Sequence, residues 1–433
     1  MFTVNSLAQK PPFDSFPEAE PPYYRIQYKA SDQPGELVYP VNSTIWIPPS
    51  VKKLKGIVVH QHGCGTGSCS TGLAGAYDLH WQALAKKHQC ALLSPSYEQR
   101  KGQDCALWCI PQNGSEKVFL KVLKDFGEKS EHPELEHVPW ALWGHSGGAA
   151  WVGFMTMRHP EKVAAVWMNS GRPIVQAIPG KPNVKFSKIP DEAYQIPMMC
   201  NLGTQEGVTF KGGKQAGMWN AIRSFFHQIR SRGGLIGIAV DPLTGHAAGN
   251  QRYLAIPWMS ACLDARLPLG EDGNLRLMPV EEAWLAPLLG DEATVVSDYR
   301  ADKKTSVWLP NEEIAKAWQQ YVRNTKISDI TNPPAPFNIQ SNNGVITWEA
   351  EADLESGVAH FIIERDGEVI GKIPDEDSNP NSRPVFQGMR DSDTPTLPLR
   401  EMQFTDKKRV VGKVYKYSVI SVNTAGLRSV LVE

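Results

Sequence analysis

Residues 140–151 read WALWGHSGGAAW, an apolar run that stops at a serine between glycines and resumes with small residues. The apolar part predicts a buried strand, and the part after the serine predicts a helix. Ser146 would then lie at a sharp strand-to-helix turn, with Gly144, Gly147 and Gly148 around it. Only glycine tolerates backbone crowding on both sides of such a turn, which presents the serine hydroxyl as a candidate nucleophile.

A serine hydroxyl is a weak nucleophile near pH 7, so it needs a histidine base and a group that orients that base. His246 follows the last predicted parallel strand, at the sheet end that also carries Ser146. The acid is expected after the strand between these two residues, where Glu206 is found. Asp241 is the rival for the acid, with Asp191 behind it. The sequence therefore predicts a serine–histidine–acid triad.

The loop after the first predicted parallel strand reads HQHGCG at residues 60–65. A backbone N–H from this loop and one from the residue after the serine can point at one spot, where an oxyanion would be bound. We expect Gly147 to supply one donor and Cys64 the other, and we call residues 60–65 the oxyanion loop. Gly63 is the alternative, because spacing does not fix which amide points inward.

The chain contains 13 tryptophans, and some lie near the predicted site. Trp108 follows the carboxyl end of a strand, so we predict that it either contacts a substrate ring or anchors its loop. His62 is likewise predicted to contact substrate or to brace the oxyanion loop. Core packing is expected for four other tryptophans in predicted strands and helices: Trp81, Trp143, Trp151 and Trp167.

Four of the 7 cysteines lie in two loops, Cys64 and Cys69 in one, and Cys105 and Cys109 in the other. Disulfide bonding, free buried thiols and metal ligation are the three interpretations. Metal ligation is the weakest, because the spacings are not those of zinc knuckles and neither loop has a histidine at ligand distance. Disulfide bonding allows three connectivities, among which the sequence does not choose.

Length and composition fit an ordinary soluble protein of two or three domains, with 433 residues, 41% hydrophobic and 21% charged. The formal net charge of -1 provides no electrostatic footprint for nucleic acid or a membrane surface. We therefore expect a small-molecule or polymer substrate and neither a nucleic-acid nor a membrane partner; oligomeric state is not readable. SLAQ at residues 6–9 resembles the end of a cleaved export signal, which favours a secreted or periplasmic protein.

Short apolar strands alternate with amphipathic helices over residues 51–265, which predicts an α/β fold with a mostly parallel sheet. Residues 1–50 contribute an antiparallel strand pair that joins this sheet. Residues 266–330 contain EEAWLAPLL and NEEIAKAWQQYV, predicted to be helices of an extension that packs on the main domain. The proline-rich stretch at residues 172–195 predicts a loop over the mouth of the sheet.

The stiff linker TNPPAP opens residues 331–433, and the pattern beyond it predicts only strands, with a hairpin turn at Asp366-Gly367. This part resembles a fibronectin type III domain. The resemblance rests on Trp348 in the second strand, YKYSV at residues 415–419 in a late strand and NTAG at residues 423–426 after it.

With these pieces in order, residues 51–265 resemble the α/β-hydrolase superfamily. HGC at residues 62–64 is similar to the oxyanion loop of secreted esterases that include feruloyl esterases and polyhydroxybutyrate depolymerases. The chain departs from them in having Glu206 where aspartate is commoner, and in its loop cysteines. The resemblance implies a two-step acyl transfer in which His246 takes the Ser146 proton, with no metal or organic cofactor.

The resulting hypothesis is a carboxylic ester hydrolase acting on hydroxycinnamate, polysaccharide or polyester-type esters, since such C-terminal modules often accompany enzymes that act on polymers. One alternative is a serine peptidase or amidase of the same fold, although no acidic cluster near the loops provides for a peptide amine. Another is a non-catalytic binding protein with a hydrolase-like domain, although no triad member is missing. Lyase or acyl-transfer chemistry on the same triad also remains open.

Overall fold

A computed structural model describes most of the chain, and within that part no helix is both long and apolar enough to cross a bilayer. The SLAQ segment at residues 6–9 lies outside the described residues. The described ranges are residues 19–49, 51–180, 182–270, 273–326, 328–375, 385–396 and 398–430.

The central sheet follows from the apolar strand runs of the sequence. Its spatial order is β1-β2-β4-β3-β5-β6-β7-β8, with β2 antiparallel to both neighbours and β3 to β8 parallel. Strands covered on both faces are mostly apolar, and β3 to β7 are buried along their whole length. The strands are β1 Tyr23–Tyr28, β2 Val41–Trp46, β3 Gly56–Gln61, β4 Cys90–Tyr97, β5 Trp140–His145, β6 Val163–Asn169, β7 Met198–Gly203 and β8 Ile236–Asp241.

Helices connect these strands, as parallel pairing requires. The amphipathic helix α4 buries its apolar face against the sheet. Asp78 caps the N-terminus of α2, where its carboxylate accepts the backbone N–H groups of His80 and Trp81. The result is an α/β-hydrolase fold, in which the carboxyl ends of the parallel strands meet at one edge. The helices are α1 Thr66–Gly72, α2 Leu79–Lys87, α3 Ala106–Cys109, α4 Ser115–Ser130, α5 Gly147–Arg158, α6 Met218–Arg230, α7 Arg252–Arg266 and α8 Glu312–Asn324.

Tryptophan side chains fill much of the core around the sheet, where their large apolar surface stabilises the fold most. The expectation of core packing for four of them is confirmed, because all four are fully buried: Trp81, Trp143, Trp151 and Trp167.

The predicted helix at EEAWLAPLL is wrong. A single 3-10 turn precedes β9 (Trp284–Ala286), which forms an antiparallel sheet with β10 (Thr294–Val295) and β11 (Val307–Leu309). Pro279 precedes the fragment and Pro287 lies within it, so too few residues remain between them for an uninterrupted helix. The second fragment, NEEIAKAWQQYV, does form a helix, α8.

The C-terminal part is all-β, as the sequence predicts. Its described residues form two three-stranded antiparallel sheets, β12-β13-β18 and β15-β14-β19, and a short ribbon of β16 and β17. Asp366 and Gly367 form the expected hairpin turn, both with positive φ (53° and 84°). The strands are β12 Phe337–Asn342, β13 Val345–Glu349, β14 His360–Arg365, β15 Glu368–Ile373, β16 Met389–Arg390, β17 Thr394–Pro395, β18 Gln403–Thr405 and β19 Tyr417–Val422. We call the described residues from the start of β12 to residue 430 the C-terminal β unit.

A buried ion cluster joins the C-terminal β unit to the main domain. Arg252 of α7 lies 2.6 Å (Nη2) from Asp78 Oδ2 and 2.9 Å (Nε) from Asp393 Oδ1, and all three side chains are at most 5% exposed. Asp393 also accepts hydrogen bonds from Trp81 Nε1 and Gln251 Nε2, each 3.3 Å long. Burial raises the pKa of Asp393 to about 6, and the second carboxylate on the same guanidinium adds to this increase.

Replacing Arg252 tests this cluster. Arg252→Met leaves two buried carboxylates without their cation, so we expect the free energy of unfolding to fall by about 3–5 kcal/mol. Urea unfolding measures it. Arg232→Met is the matched control, because Arg232 lies on the surface 3.8 Å from exposed Asp191; equal stability of the two variants would contradict a joining role for the cluster.

The raised Asp393 pKa predicts a pH effect. A folded-state pKa of about 6 lies above the ordinary value of 3.8, so the folded protein holds this proton more tightly than the unfolded chain. That contribution to stability is complete below about pH 4 and is lost as the pH rises through about 6. The neutral amide of Asp393→Asn does not ionise. The free energy of unfolding of this variant, relative to the parent, should therefore increase as the pH rises from about 4 to about 6. Urea unfolding at both ends of the range measures this, and a relative loss would refute the assignment.

Candidate active site

Ser146 occupies the turn between β5 and α5 in a strained backbone conformation. Its φ of 54° and ψ of -114° lie in a region that non-glycine residues rarely adopt. Its backbone N–H donates to the Asn169 carbonyl over 2.8 Å. A Cβ on Gly148 would overlap the His62 carbonyl oxygen, and one on Gly144 would overlap the Gly148 backbone. The glycines of the motif thus allow the close approach that holds the serine.

The structure brings Ser146, His246 and Glu206 together. His246 Nε2 lies 2.8 Å from Ser146 Oγ, and His246 Nδ1 lies 2.6 Å from Glu206 Oε1. Glu206 is fully buried, and its Oε2 accepts hydrogen bonds from Ser170 Oγ (2.7 Å) and the Gly203 N–H (3.0 Å). Because a carboxylate only accepts, Nδ1 carries the imidazole proton and Nε2 is free to accept from the serine hydroxyl.

Neither rival acid is hydrogen-bonded to His246 in the described structure. Asp241 is buried and accepts from the Tyr321 hydroxyl (3.0 Å) and the Leu243 N–H (2.8 Å). Burial raises the Asp241 pKa. Asp191 has a side chain that is 92% exposed. Of the three acids considered from the sequence, Glu206 is the one that contacts the imidazole.

Two backbone amides remain available for an oxyanion. The Gly63 N–H donates to Ser392 Oγ over 2.7 Å, so the alternative donor of the oxyanion loop is already engaged. The N–H groups of Cys64 and Gly147 donate to no acceptor among the described residues. Gly147 also opens α5, whose N-terminus favours negative charge. Cys64 and Gly147 therefore stay the predicted oxyanion donors.

A disulfide joins Cys64 of the oxyanion loop to Cys105 at the start of α3, and it lies against the start of α5. A Cβ on Gly147 would overlap Cys64 Sγ and lie 2.8 Å from Cys105 Sγ, so the disulfide packs directly on that glycine. Cys69 and Cys109 are free. The sulfurs of Cys64, Cys105 and Cys109 lie within 4.8 Å of one another, but the disulfide leaves this group only one thiol.

Trp108 and His62 do not reach the substrate side of the site, so the prediction that they contact substrate is wrong. Both are fully buried. Trp108 Nε1 donates to Gln99 Oε1 (3.0 Å), and its ring stacks on Tyr97. His62 Nδ1–H donates to the Gly63 carbonyl (2.7 Å), Nε2 accepts the Tyr97 N–H (2.9 Å), and burial lowers the His62 pKa to about 4. Both residues brace their loops instead.

A ladder of buried hydrogen bonds supports the strand ends behind the site. His145 Nδ1–H donates to Asn169 Oδ1, and Asn169 Nδ2 donates to Asn201 Oδ1 (2.5 Å). Asn201 Nδ2 bonds the Tyr321 hydroxyl (3.1 Å), which donates to Asp241. The sequence analysis missed these asparagines, although polar side chains near the carboxyl ends of buried parallel strands were a usable signal.

A cavity of about 690 Å³ opens beside Ser146 and His246. One wall is formed by residues that the sequence analysis did not connect with the site, from the β16–β17 ribbon of the C-terminal β unit. We call residues 389–395 the arm. The described residues of the stretch 172–195 contribute none of the lining. The lining is Cys64, Gly67, Ser68, Thr71, His145, Ser146, His246, Ala247, Ala248, Gly249, Met389, Arg390, Ser392 and Asp393.

No protein-family model matches the chain, and no curated protein matches it in sequence. Among solved structures it is similar to a thermostable esterase, at 15% identity over 51% of this chain and 54% of that chain, with a TM-score of 0.35. It is also similar to a ferulic acid esterase, at 15% identity over 52% and 90% of the two chains, with a TM-score of 0.35. A siderophore hydrolase from Aspergillus nidulans matches at 12% identity over 56% and 93%, with a TM-score of 0.37.

The chain spans about half the length of the thermostable esterase, at 54%. At sequence identities this low, the similarity concerns the fold alone. The strand order of the central sheet defines that fold independently of these comparisons. The structural neighbours are esterases and hydrolases of the α/β-hydrolase fold, and what they act on is a property of those proteins.

The disulfide predicts a thiol count. The unfolded, unreduced protein should expose five reactive thiols, the free cysteines Cys69, Cys90, Cys109, Cys200 and Cys262. After reduction, the count should rise to all 7 cysteines of the chain. A thiol-specific chromogenic reagent in denaturant measures both, and Cys105→Ala should show six before and after reduction. A parent count of seven without reductant would show that the disulfide is absent.

Proposed function

We propose that this protein is a serine carboxylic ester hydrolase that works through an acyl-enzyme. The observation that carries the proposal is the continuous hydrogen-bonded relay from Ser146 through His246 to buried Glu206, with bonds of 2.8 and 2.6 Å. Such a relay lets an imidazole act as general base and an orienting carboxylate stabilise the imidazolium that forms. A serine peptidase of this fold would use the same relay. We favour an ester substrate because the described lining of the cavity offers no accessible acid that would hold a peptide amine.

In the first step, His246 Nε2 accepts the hydroxyl proton as Ser146 Oγ bonds to the ester carbonyl carbon. The carbonyl oxygen becomes an oxyanion, which the Cys64 and Gly147 amides would bind. Glu206 stays ionised and holds the imidazolium through Nδ1–H. Collapse of the tetrahedral intermediate breaks the bond to the alcohol oxygen, which leaves with the proton from Nε2. The serine then carries the acyl group.

Water completes the reaction by the same route. His246 takes a proton from water as the water oxygen attacks the acyl carbon, and the oxyanion forms again at the same two amides. The intermediate expels Ser146 Oγ, which recovers its proton from the imidazole. All proton transfers use one imidazole, so this chemistry requires no metal and no organic cofactor.

The open cavity of about 690 Å³ suits a substrate larger than a simple acetate ester. Hydroxycinnamate, polysaccharide and polyester-type esters remain the proposed classes. The Cys64–Cys105 disulfide is compatible with an oxidising compartment, which supports the proposed secreted or periplasmic location. A fibronectin type III-like identity for the C-terminal β unit stays part of this proposal.

The experiment is a panel of 4-nitrophenyl esters from acetate to decanoate, with methyl ferulate, hydrolysed by parent and variants. We expect Ser146→Ala to lower kcat by about 10⁴-fold or more, because the nucleophile is lost. Glu206→Gln should lower kcat by about 10²–10⁴-fold, because the neutral amide no longer stabilises the imidazolium.

Asp241→Asn is the matched control for the acid, since it also neutralises a buried carboxylate near the strand ends. It should retain kcat within about threefold in variants whose folding is verified by circular dichroism, because Asp241 does not contact His246. If Asp241→Asn is as damaging as Glu206→Gln, the assignment of the acid is wrong. A parent that hydrolyses no ester on the panel would overturn the proposed reaction.

A further inference from the structure

The arm belongs to the active-site wall although it lies far along the chain from Ser146. The hydrogen bond from the Gly63 N–H to Ser392 Oγ joins residues 329 positions apart in sequence. Ser392 and Asp393 both have positive φ, 60° and 56°, which costs free energy for non-glycine residues. Strain of this kind persists only where the surroundings hold it, and here the Gly63 and Arg252 contacts do so. The arm is therefore a fixed part of the cavity.

Among the arm side chains that the structure describes, the charged residues Arg390 and Asp393 line the cavity, and they differ in their surroundings. The Asp393 carboxylate is buried and its charge is met by Arg252 at 2.9 Å. Arg390 is exposed, and within the part of the chain that the structure describes no carboxylate forms an ion pair with it. Arg390 is thus exposed at the cavity, and its guanidinium donates no hydrogen bond to the residues that the structure describes.

The remaining lining does not neutralise Arg390. It consists of small, hydroxyl and apolar residues, the nucleophile and two histidines. Glu206, the acid of the relay, is fully buried behind His246, and its two carboxylate oxygens are hydrogen-bonded to Ser170 and His246. An incoming molecule therefore meets one cation and no accessible anion among the described lining residues.

We infer that Arg390 is a specificity-determining residue that recognises a carboxylate on the ester substrate. A guanidinium presents paired N–H donors that match the two oxygens of a carboxylate, and charge-assisted hydrogen bonds of this type are the strong ones. The inference rests on the proposed ester hydrolase and narrows its substrate class to esters that carry a second, free acid group.

The place of Arg390 on the C-terminal β unit favours a role in substrate recognition over a role in catalysis. The hairpin pairs Arg390 with Thr394 across its turn, so the arginine backbone is placed by the same contacts that hold Ser392 and Asp393. Arg390 lines the cavity from the C-terminal β unit, whereas the reacting groups Ser146 and His246 belong to the main domain. The C-terminal β unit would then select the substrate that the main domain hydrolyses.

Matched rigid probes test the inference on both sides of the scissile bond. On the acyl side, 4-nitrophenyl 4-carboxybenzoate is compared with its neutral 4-carbamoylbenzoate analogue. On the alcohol side, 4-acetoxybenzoate is compared with 4-acetoxybenzamide. The two probes of a pair differ in one para substituent, which is a carboxylate in one and a neutral amide in the other. Dividing the kcat/KM of a variant by that of the parent for the same probe cancels the intrinsic reactivity of the probe.

The variants are Arg390→Gln, which removes the charge, Arg390→Lys, which keeps it, and Arg390→Glu, which reverses it. We expect Arg390→Gln to lower kcat/KM for the anionic probe of at least one pair by about 10- to 100-fold, mainly through KM. The neutral partner should be unaffected. Arg390→Lys should recover part of the loss, Arg390→Glu should deepen it, and added salt should shrink the effect.

Arg428→Gln is the matched control, since Arg428 is an exposed arginine of the same unit that does not line the cavity. The inference is overturned if Arg390→Gln resembles this control, or if it slows charged and neutral probes equally.

A binding measurement separates this inference from the proposed reaction. Isothermal titration of the Ser146→Ala protein with terephthalate and with 4-hydroxybenzoate needs no turnover. Binding that Arg390→Gln weakens about tenfold or more supports the carboxylate site even if no ester is hydrolysed. If neither acid binds, or if binding is indifferent to Arg390, the carboxylate site is refuted while the hydrolase proposal stands or falls on its own kinetics.

Discussion

The strained backbone at Ser146 is the constraint on which the rest of the site depends. A serine at φ 54° is held there because the glycines around it let β5, α5 and the oxyanion loop approach one another without side chains between them. The same crowding sets the Gly147 amide at the start of α5 and presses the disulfide against it. The cost of the strain is met by the buried sheet on which the turn is built.

The sheet brings together groups that are distant in sequence. Parallel strands end at one edge, so the loops after β5, β7 and β8 deliver the serine, the glutamate and the histidine to neighbouring positions. Behind them, the ladder from His145 through Asn169 and Asn201 links consecutive strands by side-chain hydrogen bonds. Because those groups are buried and paired, each fixes the orientation of the next. The C-terminal β unit then closes one wall of the cavity through the buried Arg252 cluster.

Much of this could be predicted from the sequence, because periodic apolar patterns decide where strands and helices form. The eight-strand sheet and the order of the site residues follow from local patterns and connection rules. The wrong predictions concern residues whose surroundings are set by tertiary contacts. Trp108 and His62 lie in glycine-rich loops that read as exposed, yet Tyr97 packs against both. EEAWLAPLL has a helical composition, but Pro287 within it and its packing in a small sheet favour a strand.

The arm could not have been foreseen, because its role depends on the contact between Gly63 and Ser392, which nothing in either local sequence indicates. The choice between Glu206 and Asp241 was likewise decided by geometry. Glu206 follows β7 and Asp241 ends β8 at the same edge of the sheet, and only the fold turns one toward His246 and the other toward Tyr321.

The central claim is that Ser146 is a nucleophile activated by His246. The most direct measurement is covalent labelling by a fluorophosphonate, followed by intact-mass and peptide mass spectrometry. The account predicts one phosphonyl group per chain, on the peptide containing Ser146, formed rapidly in the parent and very slowly in His246→Ala. Labelling at another residue, or no labelling of the folded parent, would contradict it.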